Sequence, residues 1–330
     1  MATMKDVAEH AGVSIATVSF VVNDTKPVSP ATRERIEASM AELGYRRNAV
    51  ARALASRRTR ILALAYPMLE RSPGTGSVEF FTSAAAAAAE RDYHLVIWPV
   101  STDGHELTTL AGQGLVDGVL LMEVRLQDER VRLLEQAGMP FALIGRTEIP
   151  DAHPHVDIDF QATVCAAVDH LVGLGHTRLG LLLHDDDGYG PDVRTRTAFT
   201  QMCADRGVQS HLVDAGEHTD PSDLARSVRH QSPDSTAILA LGELAAMHLV
   251  AGMRRIGLAV PDHLSVLALC ATTAGAGLCD PELTILRSPG PELGRLGAEA
   301  LIRSLEGEPA LPPALVPCTF EPGGTTAPPP

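Results

Sequence analysis

No stretch of the sequence approaches the run of about 18 apolar residues that a bilayer-spanning helix needs, so no membrane anchor is expected. The opening residues, MATMKDVAEH, lack the apolar core of a secretory leader, and the expected location is the cytoplasm. Five cysteines (165, 203, 270, 279 and 318) are scattered, with no CxxC pair and no histidine at zinc spacing. They read as buried or free thiols in a reducing compartment. GxSxG, P-loop and HExxH patterns are all missing, which leaves an enzyme without positive support. No cofactor or metal is expected either. In HDDDG, residues 184–188, three consecutive carboxylates cannot all face one ion, so a solvated loop is the better reading. His153, His155, Asp157 and Asp159 alternate along a possible strand. They lack further ligands at interpretable spacing, and an edge strand or loop is expected there.

The chain of 330 residues is too long for one ordinary core, so two or three domains are expected. The net charge of -14 argues at first against a nucleic-acid partner, but it is unevenly placed. Residues 1–60 hold 10 Lys and Arg against 6 Asp and Glu, a balance of +4, which leaves -18 for the remainder. A basic end on an acidic body suggests a small nucleic-acid module joined to something else.

Three short helices are legible in that basic end. Thr3 and Asp6 have capping-box spacing ahead of an apolar stripe of Val7, Ala8 and Ala11, and Gly12 stops the helix. Ser14 caps a second helix running to about Asn23. Ser29 caps a third, with Pro30 in its first position, Ile36, Met40 and Leu43 as its stripe and Gly44 at its end. This is the pattern of a helix-turn-helix. Phased at about 100° per residue, Val18, Val21 and Val22 form one face of the second helix, while Ile15, Ala16, Ser19, Phe20 and Asn23 form the other. Either Phe20 wraps over the edge of the core or, as the three valines favour, it meets a surface partner.

After Gly44, Asn48 can cap a short helix holding Ala49, Val50, Ala51, Ala53 and Leu54. Arg46, Arg47, Arg52, Arg57, Arg58 and Arg60 surround it without one acidic residue. That is either a solvated basic linker or a minor-groove device, in which an apolar wedge enters between base steps while basic groups hold phosphates.

From residue 61 onward, strand-like runs (RILALAYP, HLVIWPV, VDGVLLM, PFALIGR, RLGLLLH, TAILALG, LSVLALC) alternate with helix-like stretches. Such alternation means parallel sheets covered on both faces, and about 260 residues suit two of them with a cleft between. AAAAAA at 84–89 is helical by propensity. GGTTAPPP reads as a frayed tail.

MKDVAEHAGVSIATVSFVVND, VSPATRERI and ELGYRRNAVARAL closely resemble the signature of the LacI-type repressor family. VDGVLL, PFALIGR, DHLVGLGHTRLGLL, GLAVPDHLSVLAL, LTILRSP and GGTTAPP resemble that family's effector half, which shares its fold with periplasmic sugar-binding proteins. The resemblance implies a small all-α helix-turn-helix domain (1–46), a hinge helix and linker (47–60), an α/β body of two parallel-sheet subdomains (61–320) and a flexible tail (321–330). It implies a homodimer on a palindromic DNA operator, with no membrane partner. Ile15, Ala16 and Phe20 fall on base-reading positions. Ser14, Thr17, Ser19 and Asn23 fall on backbone-phosphate contacts. In the hinge, Asn48, Ala51, Arg52 and Leu54 meet the DNA, with Leu54 as the wedge. Effector positions fall on Phe80, Phe81, Arg146, Arg194 or Arg196, Glu243 and Cys270, and the implied effector is a sugar or another polar or anionic metabolite. Arginines at strand ends suit a hydroxyl-rich or anionic molecule. A class outside this family, a binding protein or degenerate enzyme with an incidental basic end, is the alternative.

Several positions depart from the family. Arg47 replaces a proline at the hinge entry, and Phe20 stands where a polar reader is common. A Phe cannot form a bidentate guanine contact, but it can pack on a thymine methyl. SPGTGSVEFF replaces the usual Asn-Pro-Phe-Phe stretch, Gly242-Glu243 replaces a common Asn-Asp, and Cys270 replaces an Asp that binds sugar hydroxyls. An unusual sugar, a less polar molecule, an anion or no effector at all therefore stay open. If Leu54 is a wedge, Leu54→Ala abolishes tight operator binding and spares the fold. Gel retardation alongside circular dichroism checks this, and near-wild-type affinity refutes it.

Overall fold

A computed structural model of the chain describes residues 2–23, 26–45, 58–68, 70, 74–149, 152–184, 186, 188–216 and 220–330, without the side chain of Asn23. It divides into two compact units, Met1–Arg60 and Ile61–Pro330.

In the first unit, three helices form: α1 (Met4–Ala11), α2 (Ile15–Asn23) and α3 (Pro30–Glu42). Thr3 and Asp6 make the reciprocal capping box, with Thr3 N donating to Asp6 at 2.8 Å and Asp6 N donating to Thr3 Oγ1 at 3.3 Å. The bonds that its carboxylate accepts from Thr3 N and Thr3 Oγ1 hold Asp6 below its usual range. Gly12 turns the chain with a φ of 63°, a left-handed conformation that a side chain resists. Val7, Ala8, Ala11, Val18, Val21, Val22 and Ile36 close a small core.

The second unit is built on two six-stranded sheets. Strands β1 (Ile61–Tyr66), β2 (His94–Pro99), β3 (Gly118–Leu121), β4 (Phe141–Ile144), β5 (His155–Ile158) and β11 (Ala314–Val316) make one, in the order β11-β5-β4-β3-β1-β2, with every pairing parallel. Strands β6 (Arg178–Leu183), β7 (Gln209–Asp214), β8 (Ala237–Leu241), β9 (Ser265–Ala271), β10 (Thr284–Arg287) and β12 (Thr319–Glu321) make the other, in the order β12-β10-β9-β8-β6-β7. Only β12 runs antiparallel to its neighbour. β1, β3, β4, β8 and β9 are near-continuous apolar runs because helices cover both faces.

The chain passes from lobe to lobe three times: after β5, after β10, and between β11 and β12. The second passage feeds helix Gly290–Glu306 back onto helix Thr75–Glu90 of the first lobe. The two helices lie so close that a Cβ on Gly294 would sit 2.5 Å from the Phe80 carbonyl oxygen. The alanine run answers this need for small side chains, with Ala84, Ala87 and Ala88 buried.

Two expectations change. The segment around 155–159 is no edge strand or loop, since β5 lies between β4 and β11 and buries His155 and Asp157. Nor is 321–330 a flexible tail. Thr325 is 0% exposed; its hydroxyl donates to Val266 O at 2.6 Å and accepts from Thr284 N at 2.9 Å. Val266 N donates back to Thr325 O at 2.8 Å, and Ala327 N donates to Ser265 Oγ at 3.0 Å. The segment satisfies buried backbone groups of the second sheet, which holds it in place. Thr325→Ala leaves the buried Thr284 N–H without its acceptor. It therefore lowers the unfolding free energy by about 1–3 kcal/mol, measured in urea, whereas a loose tail would leave it unchanged.

Candidate nucleic-acid interface and ligand cavity

Helix α2 presents two faces. Val18, Val21 and Val22 point into the core. Ile15 is 50% exposed, Ala16 is exposed, and Phe20 is half-buried with the Lys26 ammonium 5.1 Å from its ring centroid. That is cation–π distance. At the start of the helix, Ser14 Oγ accepts from Thr17 N at 3.1 Å and shares a hydroxyl bond with Thr17 at 2.8 Å. The N-terminus of α2 therefore offers hydroxyls and backbone N–H groups, the donors that hold phosphate. Ser19 is half-buried on the same helix. The side chain of Asn23, and Arg46, Arg47, Asn48, Ala51, Arg52 and Leu54, lie outside the described residues.

In the second unit, a cavity of about 340 Å³ lies between the lobes, within the range of small-molecule sites. One flank is sealed by the loops that follow β3 and β6. Arg125 forks onto Asp186 at 2.8 and 2.7 Å, Leu126 N donates to Gly188 O at 2.8 Å, and Gly190 N donates to Val124 O at 3.3 Å. Across the same flank, the Tyr189 hydroxyl donates to Glu123. Arg194, on helix Gly190–Asp205, donates to the carbonyls of Arg146 and Thr147 at 2.9 and 3.1 Å.

The structure separates the residues anticipated for an effector. Phe80, Glu243 and Cys270 line the cavity. Phe81 does not; it is 9% exposed and packs edge-to-face on Tyr66 in the core of the first lobe. Arg146 and Arg194 do not line it either. Arg146 Nε stands 3.2 Å from Asp157, and Arg194 reaches the same carboxylate at 3.9 Å. Both are tied into a brace between the lobes, because a buried carboxylate needs compensating charge. Arg196, half-buried two residues further along the helix and so on another face, is not among the lining residues. Sequence reasoning passed over Glu123, Tyr189 and Asp192, which line the cavity, and set Asp157 aside in an edge strand or loop. Only the polar pair His155 and Asp157 inside an otherwise apolar strand could have signalled it.

Glu243 begins helix Glu243–Arg255 and is 5% exposed. Its Oε2 accepts from Thr272 N at 2.8 Å and from Thr272 Oγ1 at 2.7 Å, while Oε1 has no hydrogen-bond partner among the described residues. Cys270 adopts a φ of 56°, and its Sγ lies 3.9 Å from that of Cys318.

Comparison with known proteins accounts for both units. The family model for bacterial regulatory proteins of the lacI family matches residues 3–48, and one for the periplasmic binding protein-like domain matches residues 168–326. The HTH-type transcriptional regulator CelR of Thermobifida fusca is 30% identical over 328 residues, covering 95% of each chain. The chain belongs to the LacI family. This LacI-family protein is a DNA-binding transcriptional regulator with an effector-binding domain, not an enzyme. AglR of Rhizobium meliloti is 30% identical over 283 residues, covering 80% of this chain and 76% of its own. Among solved structures, a CelR–cellobiose complex matches with a TM-score of 0.70 and 26% identity, covering 99% and 100% of the two chains. The lac repressor dimer bound to operator and the anti-inducer ONPF matches with a TM-score of 0.82 and 24% identity, covering 99% of each, which speaks to the fold alone. Among the described residues no helix is long and apolar enough to cross a membrane.

Burial pushes the Asp157 carboxyl up to about 6, against the pull of Arg194 and Arg146. A carboxyl raised on folding holds its proton more tightly in the folded chain, so stability falls as pH rises from near 4 to about 6. The stability of the wild type relative to Asp157→Asn therefore declines across that window and levels off above it. Urea unfolding of both proteins from pH 4.5 upward measures the difference.

Proposed function

We propose that the protein is a repressor that binds a palindromic operator as a homodimer and is switched by a small molecule in the cavity between its lobes. The observation that carries the DNA half is the exposed face of α2. Ile15 and Ala16 stand in solvent beside a half-buried Phe20 while three valines hold the opposite face in the core. An apolar face of this kind on the second helix of a helix-turn-helix belongs in the major groove. Ser14 and Thr17, with Ser19 and Asn23, take phosphate oxygens, and Lys26 exchanges the Phe20 ring for a phosphate on binding. Residues 47–60 follow the minor groove, with Asn48, Ala51 and Arg52 beside the Leu54 wedge.

One helix-turn-helix contacts too few bases for high specificity, which two copies on a palindrome supply. The lac repressor structure noted above is such a dimer on its operator, and the CelR complex holds a sugar. For regulation, the ligand must bind the DNA-competent and incompetent forms with different affinity. The loops sealing the cavity flank are the contacts that would differ. The protein acts in the cytoplasm, with its operator.

Ile15, Ala16 and Phe20 have no side-chain donor or acceptor for base edges, so direct readout rests on thymine methyls. Much of the affinity then comes from phosphate contacts and from bending at the hinge. Phe20→Arg shifts one symmetric position from thymine toward guanine by roughly 1–3 kcal/mol. Operator selection from random DNA with both proteins, and ultracentrifugation of the complexes, read this out. Identical preferences would place Phe20 off the DNA, and a monomer on one half-site would defeat the dimer.

A further inference from the structure

We infer that the cavity between the lobes is built for a ligand that carries positive charge, a protonated amine on a partly apolar body. This rests on the reading of that cavity as the effector site, and it narrows the class of molecule that switches the protein.

The first support is the charge of the wall. Glu123 and Asp157 line the cavity from the first lobe, and Asp192 and Glu243 line it from the second. No Lys or Arg is among the described residues that line it, and His184 stands at an exposed position. The guanidiniums nearby are already engaged. Arg125 is forked onto Asp186, and Arg146 and Arg194 both converge on Asp157. With these neighbours included, five carboxylates meet three guanidiniums. A phosphate or carboxylate ligand would add to an excess of like charge at close range.

The second support is the hydrogen-bonding balance. Glu243 is 5% exposed, and only one of its two oxygens has donors, both from Thr272. The other is buried and has no hydrogen-bond partner among the described residues. A buried carboxylate oxygen left in that state is unfavourable until something donates to it. The Tyr189 hydroxyl already donates to Glu123. Among the lining side chains, acceptor oxygens outnumber donors: the remaining side-chain donors are Ser77, His184 and Ser288, with backbone N–H groups at the helix N-termini near Gly76 and Leu244. A sugar hydroxyl can donate but also seeks donors for its own lone pairs, and the arginines that would supply them face Asp157 instead. An ammonium group donates and accepts nothing, which matches the wall.

The third support is the rest of the lining. Phe80, Met122, Val124, Ile144, Leu241 and Leu244 bring apolar surface to the cavity from both lobes. Such a surface suits a hydrocarbon or aromatic body, and the Phe80 ring gives a cation a face to meet.

Two sets of similar molecules differing in charge test this on the full-length protein at pH 7, above the about 6 of Asp157 and low enough to keep both amines largely protonated. One set is phenethylamine, 2-phenylethanol and phenylacetate; the other is glucosamine, glucose and glucuronate. Thermal shift and calorimetry are expected to show the amine of at least one set binding tenfold or more tightly than both of its partners. Glu243→Gln is expected to weaken that amine tenfold or more, with folding checked by circular dichroism. If that variant does not fold, Glu123→Gln takes its place. Equal or tighter binding of a neutral or anionic partner, no binding by either amine, or undiminished amine binding in the folded variant overturns the inference. Gel retardation on selected operators, run on the same preparation, keeps the two readings apart. Operator binding together with preference for an anion sinks only the charge assignment. Amine binding without operator binding sinks the repressor reading and leaves the cavity's chemistry standing.

Discussion

The contact on which the cavity depends is the close approach of the β6 loop to the β3 loop. Gly188 and Gly190 make it possible. A Cβ on Gly190 would lie 2.9 Å from the Val124 carbonyl, and one on Gly188 would lie 2.1 Å from the Arg125 guanidinium. The bare Gly190 leaves room for its bond to the Val124 carbonyl, and the bare Gly188 leaves room for the Arg125 guanidinium that forks onto Asp186, beside the Leu126 bond to the Gly188 carbonyl. These bonds close one flank of the cleft between the lobes. Charge-assisted, bidentate bonds at a partly buried seam are stronger than an exposed ion pair, so the seam can be a real energetic term in any opening of the lobes.

The brace behind that seam explains why the body can keep so many acidic groups near one another. Asp157 sits largely buried inside a parallel sheet, at the cavity wall, and two arginines from different lobes converge on it. Arg194 also binds the carbonyls that end the Arg146 turn, so one guanidinium answers a charge and two backbone groups at once. Any ligand that changes the field at Asp157 acts on a group whose partners span both lobes. Coupling of this kind needs no long chain of intermediates, because the residues that line the cavity and those that join the lobes are neighbours.

Legibility in the sequence followed the range of the interactions. The helix-turn-helix was readable because its determinants are local: Thr3 with Asp6, Ser14 with Thr17, the left-handed turn at Gly12 and the valine spacing of α2 all act within four residues. The apolar strands β1, β3, β6, β8 and β9 were readable because a doubly covered parallel strand is apolar throughout. β5 was not, since it carries His155 and Asp157 into the interior, and only partners distant in sequence make that tolerable. The C-terminal segment was misread for the same reason, as its Pro, Gly and Thr composition looks loose until Thr284 and Val266 supply bonds to it. At the cavity, family resemblance pointed to Phe80, Glu243 and Cys270, but it could not show that Arg146 and Arg194 face Asp157. Of the two phenylalanines expected there, only Phe80 lines the cavity, because adjacent residues on a helix point about 100° apart.

The three crossings also bear on how the protein is made. The first lobe is incomplete without helix Gly290–Glu306 and β11, and the second without β12 and the segment through Ala327. Each lobe thus has its final pieces near the far end of the chain. A ribosome delivers residues from the N-terminus onward, and domains fold as units when their parts are available. The helix-turn-helix, whose buried core runs only from Val7 to Ile36, can assemble early. Neither sheet can close until almost the whole chain has emerged. Synthesis therefore passes through a long interval in which a finished DNA-reading head trails an unfinished body, its apolar strands awaiting partners. That interval is when the chain is most exposed to aggregation and to the chaperones that prevent it.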